Sequence, residues 1–381
     1  MMMVYSPIYM EFAIREAAKG HYLSRPNPSV GAVVVENFTK IVGWGHSQAY
    51  GQDHAEVVAL KMARDHAQGA ALYVTLEPCC HYGKTPPCTK VIIDAGIKTV
   101  YIAMLDPNPL VSGKGVEELK KHGIKVAVGY MAEEVQKQLE YYLHFVNKNR
   151  PFVIMKNAIS IDGKIAASNG ESKWITNEKA RQDGRLLRTE VSAIITGIGT
   201  VLADDPMLNI REGDLEVLET TADKSTIKSP LRVVLDPHLK TPLDYQIVKT
   251  AKTYPTIIVA SNTHIDNENK VEQLQNMGVE IVLLPSDTNG IDLEALLSFL
   301  AERKITAVLV ECGAKLSSSF LKAKLVDKIY YYVSPKILGG NYSVYSHLDV
   351  GSIDNAIELE TTSIKDIEGD IRIEMYVKKN N

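Results

Sequence analysis

Residues 71–104 read ALYVTLEPCCHYGKTPPCTKVIIDAGIKTVYIAM. The opening run Ala71 to Leu76 is short, apolar and rich in β-formers, which predicts a strand over 71–76. A loop carrying Cys79, Cys80 and Cys88 follows. Thr85-Pro86-Pro87 then makes a good helix start, because proline's fixed φ is already helical, and a helix is predicted over 87–95. Thr99 to Met104 reads as a second strand. Strand, helix and strand in this order predict a parallel pair covered by a helix, the repeating unit of α/β proteins. The pattern continues with a helix over 115–122, a strand over 124–128 and a helix over 131–146. Upstream, Tyr9, Phe12, Ala13 and Ala17 have helical spacing over 9–19. Val30 to Val35 and Ile41 to His46 read as strands joined by a hairpin near Asn37. A helix over 54–66 opens with His54 and Glu56.

The cysteine loop sits where a strand hands over to a helix, the usual place for ligands in α/β sheets. Read with His54-Ala55-Glu56, the stretch Pro78-Cys79-Cys80-His81-Tyr82-Gly83-Lys84-Thr85-Pro86-Pro87-Cys88 forms a candidate zinc site. One imidazole and two thiolates can hold Zn²⁺ and leave a fourth position for water. The metal brings that water's pKa toward neutrality, and a carboxylate two residues after the histidine can carry its protons. This is the pattern of zinc nucleobase deaminases, with one departure: eight residues separate Cys79 from Cys88 where two are usual. Cys80 is a rival ligand, and Cys79 is preferred because Pro78 precedes it. The helix start before Cys88 favours its thiolate. The alternatives are a closed structural zinc, with His81 as fourth ligand, or plain buried cysteines.

At 381 residues the chain is long enough for two domains. An apolar content of 45% suffices for ordinary cores. A net charge of −4 without a basic block disfavours a nucleic-acid partner. Four cysteines, three of them in one metal-like cluster, suit a reducing compartment. Glu11 and Arg15 come too early for a secretory signal, and no run of about 18 apolar residues predicts a membrane span. A cytoplasmic protein with no membrane partner is expected.

Asn147-Lys148-Asn149-Arg150-Pro151 is a polar break closed by proline, and the domain boundary is placed there, giving domains 1–149 and 150–381. A second α/β pattern follows. Strands are predicted at 152–157, 192–197, 231–235, 256–260, 280–284, 306–311, 328–333 and 371–377. A helix from Trp174-Ile175-Thr176-Asn177-Glu178 to about Arg188 takes Thr176 as its N-cap. Residues 211–229 are charged and polar and predict an exposed loop or a short excursion. Val308 to Phe320 reads as a buried strand, a glycine turn and a small-residue helix start, whose N–H groups could cradle a phosphate. Glu311 stands at that strand's end, as a pocket acid or a solvated one. Arg188 and Arg211 are phosphate candidates, since a guanidinium matches phosphate geometry. Lys156 either snorkels at the sheet edge or points into a pocket. Trp174 is expected in the core by residue type, and Cys312 as a small packing residue.

Across nearly its whole length the chain resembles the bifunctional riboflavin-biosynthesis proteins, a pyrimidine deaminase fused to a ribityl-forming reductase. The resemblance rests on Pro26-Asn27-Pro28, Gly31-Ala32-Val33-Val34-Val35, His54-Ala55-Glu56, Thr75-Leu76-Glu77-Pro78-Cys79, His81 through Cys88 and Asp106-Pro107-Asn108-Pro109. In the second half it rests on Ser160-Ile161-Asp162-Gly163-Lys164, Ser172-Lys173-Trp174-Ile175-Thr176, Thr200-Val201-Leu202-Ala203-Asp204-Asp205-Pro206 and Pro335 through Gly340. The long loop between the cysteines is typical of this family. Cys80 stands where serine is common.

The resemblance implies an N-terminal cytidine-deaminase-like α/β/α sandwich and a C-terminal dihydrofolate-reductase-like α/β domain. It implies release of the 2-amino group of 2,5-diamino-6-(5-phosphoribosylamino)pyrimidin-4(3H)-one as ammonia. NADPH then reduces the ribosyl group, giving 5-amino-6-(5-phosphoribitylamino)uracil. By position, His54, Cys79 and Cys88 carry over as zinc ligands and Glu56 as the proton shuttle. Asn27, His46, Lys84 and Asn108 match deaminase substrate contacts. Ala158, Trp174, Thr176, Thr200, Asp204, Gly313, Ala314, Lys315, Leu316, Ser317, Ser318 and Ser319 match the NADPH side. Lys156, Ser172, Arg188, Leu208, Arg211 and Glu311 match the reductase substrate pocket. The expected partners are small phosphorylated pyrimidines, in a homo-oligomer. The rival readings are a zinc deaminase for nucleosides or tRNA with a noncatalytic second domain, and a structural-zinc protein whose second domain is an interaction module.

Overall fold

The computed structural model describes residues 5–262, 268–288 and 290–378. The chain divides into two compact units, one of Met1–Asn149 with Glu219–Ile227, the other of Arg150–Leu218 with Lys228–Asn381. Among the described residues no helix is long and apolar enough to cross a membrane.

The first unit is built on a five-stranded sheet in the order β2-β1-β3-β4-β5. Its strands are β1 (Gly31–Glu36), β2 (Lys40–His46), β3 (Ala71–Leu76), β4 (Thr99–Met104) and β5 (Lys125–Val128). β1 runs antiparallel to β2 and β3, while β3, β4 and β5 are parallel, as the strand–helix alternation after residue 70 requires. Asn37 and Phe38 turn the β1–β2 hairpin with positive φ, the backbone that tight hairpins use.

Helix α1 (Pro7–Gly20) crosses the sheet at Gly31, where a Cβ would stand 1.9 Å from the Ala13 carbonyl oxygen. Only glycine permits that approach. Helix α2 (Ala55–Ala63) lies on the other face, its Ala59 against Gly43. α3 (Cys88–Asp94) and α4 (Lys114–Lys121) continue along α2's side, and α5 (Ala132–Gln138) packs beside α1. The result is an α/β/α sandwich with Val33, Leu72, Val74, Val100 and Ile102 fully buried at its centre. The helix expected over 131–146 is two pieces, α5 and α6 (Glu140–Lys148), because Leu139 leaves helical geometry at ψ 14. The helix expected over 54–66 stops at Ala63, where Arg64 turns to φ 50.

The second unit holds a nine-stranded sheet in the order β10-β9-β8-β7-β13-β6-β14-β16-β15. The parallel body comprises β6 (Phe152–Ser160), β7 (Ala193–Gly197), β8 (Leu231–Leu235), β9 (Thr256–Ser261), β10 (Val279–Leu284), β13 (Ala307–Val310) and β14 (Lys328–Ser334). A two-residue ladder, β11 (Ser286–Asp287) with β12 (Gly290–Ile291), stands apart. β15 (Leu359–Ile367) and β16 (Asp370–Val377) add an antiparallel hairpin beyond β14. β13 returns to the middle, between β6 and β7. The carboxyl ends of these three strands therefore meet at a reversal of strand order, where α/β sheets bind ligands.

Helix α7 (Glu178–Leu186) starts later than expected, and its N-cap is Asn177. The Asn177 carboxamide accepts the Ala180 N–H at 2.8 Å, whereas Thr176 is buried. Trp174 is 62% exposed and stacks under the Arg181 guanidinium at 4.3 Å, which corrects its expected place in the core. Its backbone is held outside, since Lys336 Nζ donates to the Trp174 and Ile175 carbonyls. The stretch 211–229 is not all loop: α9 (Glu212–Val217) and a short 3-10 turn at Lys224–Thr226 form within it. Four helices were not expected from the sequence, α8 (Ile198–Asp204), α10 (Gln246–Lys249), α11 (Glu268–Asn276) and α12 (Leu293–Glu302), and a fifth, α13 (Ala314–Lys322), occupies the expected helix start. α12 had a readable signal, because Asp292 caps it through the Glu294 and Ala295 N–H groups.

Candidate active sites

In the first unit three elements converge on one point. His54 is the N-cap of α2, Cys88 is the first residue of α3, and Cys79 lies just beyond the end of β3. The ligand atoms of these three residues lie within 4.8 Å of one another. The His54 Nδ1 is 3.6 Å from Cys79 Sγ and 3.3 Å from Cys88 Sγ. Neither Cys80 nor His81 joins the cluster, and the Cys80 thiol turns to the Leu110 carbonyl at 3.8 Å. A closed four-ligand site is therefore not built here.

The three donors are electrostatically coupled to one another. Hydrogen bonds from the Cys88 thiol, from His54 and from the Cys88 N–H at 3.3 Å hold Cys79 down to about 4. The bond to Cys79 pushes His54 up to about 9. That same thiolate, together with burial, holds the Cys88 thiol well above its usual range. One imidazole and two thiols in one buried cluster form the N/S donor set zinc prefers, and a bound zinc would displace the protons of His54 and Cys88. Glu56, in the first turn of α2, is almost wholly buried, and burial raises its carboxyl above the usual range.

The candidate substrate contacts lie on the surrounding elements. His46 ends β2 with Nδ1 3.5 Å from Glu16, a buried acid that also takes Lys19 at 2.6 Å. Lys84, in the cysteine loop, sits 4.0 Å above the Tyr50 ring. Asn27 is held by its N–H, which donates to the Ser24 carbonyl at 2.9 Å. The Asn108 N–H donates to Asp106 Oδ1 at 2.9 Å, and Tyr142 donates its hydroxyl to both Asp106 oxygens. The sequence reading assigned no role to Glu16, Glu77, Asp106 or Tyr142. A buried acid at a strand end, as at Glu77, was the available signal.

In the second unit Lys156 on β6, Arg188 in the turn before β7 and Glu311 after β13 come together. Arg188 grips Glu311 with two bonds of 2.7 and 3.1 Å and donates to the Asn209 carbonyl at 2.8 Å. Lys156 Nζ is 3.8 Å from Glu311. Burial would raise the Glu311 carboxyl, but Arg188 and Lys156 hold it down to about 2. Burial also lowers the Lys156 ammonium, against the pull of Glu311. The other phosphate candidate, Arg211, is exposed at the start of α9 and makes no ion pair among the described residues.

The residues on the expected cofactor side form a second group. The Gly313 N–H donates to Thr200 Oγ1 at 3.2 Å, which joins the start of α8 to the start of α13. Lys315 is exposed, whereas Ser317 and Ser318 are buried and face away from solvent. Ser317 meets Cys312 at 3.3 Å. Lys173 reaches Asp204 at 3.6 Å. Ser172 and Ala158 are half-buried, and Leu208 is buried with φ 48.

Both halves of the chain match known families. Residues 6–104 match the cytidine and deoxycytidylate deaminase zinc-binding region, and residues 151–373 match the RibD C-terminal domain. The chain is 40% identical over 371 residues to riboflavin biosynthesis protein RibD of Actinobacillus pleuropneumoniae, covering 97% of this chain and 94% of that one. The Aquifex aeolicus protein of the same name is 40% identical over 365 residues, 96% of each chain. A solved structure of Acinetobacter baumannii RibD matches with a TM-score of 0.86 at 36% identity over 98% of both chains. So does a Thermotoga maritima structure described as a diaminohydroxyphosphoribosylaminopyrimidine deaminase/5-amino-6-(5-phosphoribosylamino)uracil reductase, with a TM-score of 0.82 at 36% identity over 98% of both chains.

Proposed function

The chain belongs to the RibD family of bifunctional riboflavin-biosynthesis enzymes, and we propose that its deaminase site is built on His54, Glu56, Cys79 and Cys88 and its reductase site around Lys156, Glu311 and the Thr200–Gly313 contact. The enzyme is a deaminase and a reductase, with zinc and NADPH as cofactors. The functional boundary is assigned to Asn149–Arg150.

The observation that carries the first assignment is the convergence of one imidazole and two thiols within 4.8 Å beside a buried carboxylate. Zinc held by His54, Cys79 and Cys88 supplies the Lewis acidity that makes water nucleophilic near neutral pH. Glu56 takes the proton of the attacking water on its carboxylate and hands it to the departing amino nitrogen. Burial suits it to this task, because a carboxyl raised above its usual range takes up a proton more readily than an exposed one. The substrate is 2,5-diamino-6-(5-phosphoribosylamino)pyrimidin-4(3H)-one, which loses its 2-amino group. Asn27, His46 and Asn108 orient the ring, and Lys84 brings an ammonium to the phosphate end.

In the second unit NADPH supplies the hydride that turns the ribosyl group into ribityl. No protein nucleophile is needed; the two reactants must be close and aligned. Ala158, Trp174, Thr176, Thr200, Asp204 and the start of α13, from Gly313 to Ser319, hold the cofactor. Within that run the burial of Ser317 and Ser318 leaves backbone N–H groups and Lys315 as the outward contacts. Lys156, Ser172, Leu208 and Glu311 hold the ribose and ring. Arg188 is engaged with Glu311 and fixes that carboxylate from inside the substrate pocket, and the exposed Arg211 takes the phosphate. The same reading carries a homo-oligomer in the cytoplasm, with small phosphorylated pyrimidines as its partners; sedimentation of the purified enzyme gives the assembly.

The deciding experiment is Glu56→Gln. The variant keeps its zinc, and ammonia release falls by about 10²–10⁴-fold, while the reduction of supplied deaminated substrate continues. Near-normal ammonia release by zinc-loaded Glu56→Gln would remove Glu56 from the mechanism.

A further inference from the structure

Glu77 directly follows β3, two residues before Cys79, and is 3% exposed. Among the described residues it is not part of the metal-ligand cluster. Instead it accepts three backbone N–H groups, from Asp106 at 3.3 Å and Gly113 at 2.9 Å on Oε2, and from Val116 at 3.1 Å on Oε1. Gly113 is the N-cap of α4 and Val116 lies in its first turn, and α4 has no side-chain cap of its own. Glu77 therefore satisfies helix N-terminal donors from a different element, with a charge of the favourable sign. Charge-assisted bonds of this kind are about twice as strong as neutral ones.

The bond from Asp106 is the informative one. Asp106 begins the loop that carries Asn108, and Asp106 in turn receives the Asn108 N–H and the Tyr142 hydroxyl. Gly115 presses on the same strand end: a Cβ there would stand 2.2 Å from the Pro78 carbonyl oxygen. One buried carboxylate thus ties the strand end that delivers Cys79 to the loop that delivers Asn108.

We propose that Glu77 is a positioning residue for deamination, fixing Asn108 against the metal-ligating strand end and setting substrate affinity through that loop. The proposal rests on the reading of Asn108 as a substrate contact. Glu77→Gln keeps the shape but turns one accepting oxygen into a donor that faces backbone N–H groups. The expected result is a KM for ammonia release raised roughly tenfold, the loss of about one hydrogen bond, with a smaller fall in kcat. Zinc content and NADPH-dependent reduction stay at the parent level.

A double-mutant cycle with Asn108→Ala separates positioning from general stability. If Glu77 acts through Asn108, Glu77→Gln adds little once Asn108 is gone, whereas independent effects add. A parent-level KM in Glu77→Gln, or additive effects in the double variant, overturns the proposal. If Asn108→Ala raises KM and Glu77→Gln does not, the proposal fails alone. If Asn108→Ala itself has the parent KM, the reading of Asn108 fails and takes the proposal with it. Should Glu77→Gln not fold, Glu77→Asp keeps the charge and serves in the same cycle, with the same non-additivity expected and additivity again decisive against it.

Discussion

At the scale of single residues, neighbouring side chains of the same type take different tasks because the backbone aims them differently. Cys79 and Cys80 are adjacent, yet only the Cys79 sulfur faces His54, and Cys80 turns to the Leu110 carbonyl. Cys79→Ser and Cys88→Ser are expected to lose zinc by elemental analysis, and Cys80→Ser to retain it. Zinc loss in Cys80→Ser with retention in Cys79→Ser would reverse the assignment. The two arginines divide in the same way. Arg211→Ala is expected to raise the reductase KM more than it lowers kcat, because a phosphate bond is made equally in ground and transition states. Arg188→Ala strips Glu311 of its bidentate partner. Breaking one side of a buried pair costs about 3–5 kcal/mol, and Lys156 at 3.8 Å softens that toward the lower end. The readout is a lower Tm of the reductase unit. The zinc-ligand pattern was legible because His-x-Glu and Pro-Cys are local in sequence. The pairing of Arg188 with Glu311 was not, since 123 positions separate them and each alone reads as a solvated charge.

At the scale of elements, the parallel strands were legible because both faces are covered, which makes their sequences continuous apolar runs. The β15 strand was not: most of its side chains are exposed, so Leu-Glu-Thr-Thr-Ser-Ile-Lys-Asp-Ile carries no core face to betray it. Asn177 capped α7 in place of Thr176 because its neighbour is buried and its own carboxamide reaches the Ala180 N–H. The ends of β6 and β13 also carry the acid sensitivity of the second unit. Arg188 and Lys156 hold Glu311 down to about 2 against an ordinary 4.5. Asp162, after β6, is held down to about 2 by the Ser160 hydroxyl and by the Gly339 and Leu338 N–H groups. A carboxyl whose folded pKa is depressed stabilises the fold above its ordinary pKa, and that contribution is lost as pH falls through the folded value. The reductase unit is therefore expected to lose Tm progressively from about pH 4.5 toward pH 2. Glu311→Gln should flatten that slope in part, Asp162→Asn should flatten it further, and an unchanged slope in both would place the acid sensitivity elsewhere.

At the scale of the whole molecule, the polar run Asn147-Lys148-Asn149-Arg150-Pro151 spans the point where the chain passes from the first compact unit to the second. The inclusion of Glu219–Ile227 in the first unit was not legible in the sequence, since a polar segment distant in sequence carries no mark of the body it joins. Each proposed constellation is nonetheless local to one unit. His54, Glu56, Cys79, Cys88 and Asn108 lie within 1–149, and Lys156, Arg188, Arg211 and Glu311 lie within the second unit. Two sites that share no residue should fail independently. Glu56→Gln is expected to keep NADPH oxidation with the deaminated substrate, and Arg211→Ala to keep ammonia release from the diaminopyrimidine. Neither variant alone should carry the starting compound to the ribityl product efficiently. A mixture of the two chains should, because the deaminated intermediate made by one can diffuse to the intact reductase site of the other. Product is followed by cofactor oxidation after ammonia release, with each variant alone as the control. If the mixture makes no more product than the better variant alone, the intermediate does not pass through solution, and the two sites work as a unit that the residue partition does not reveal.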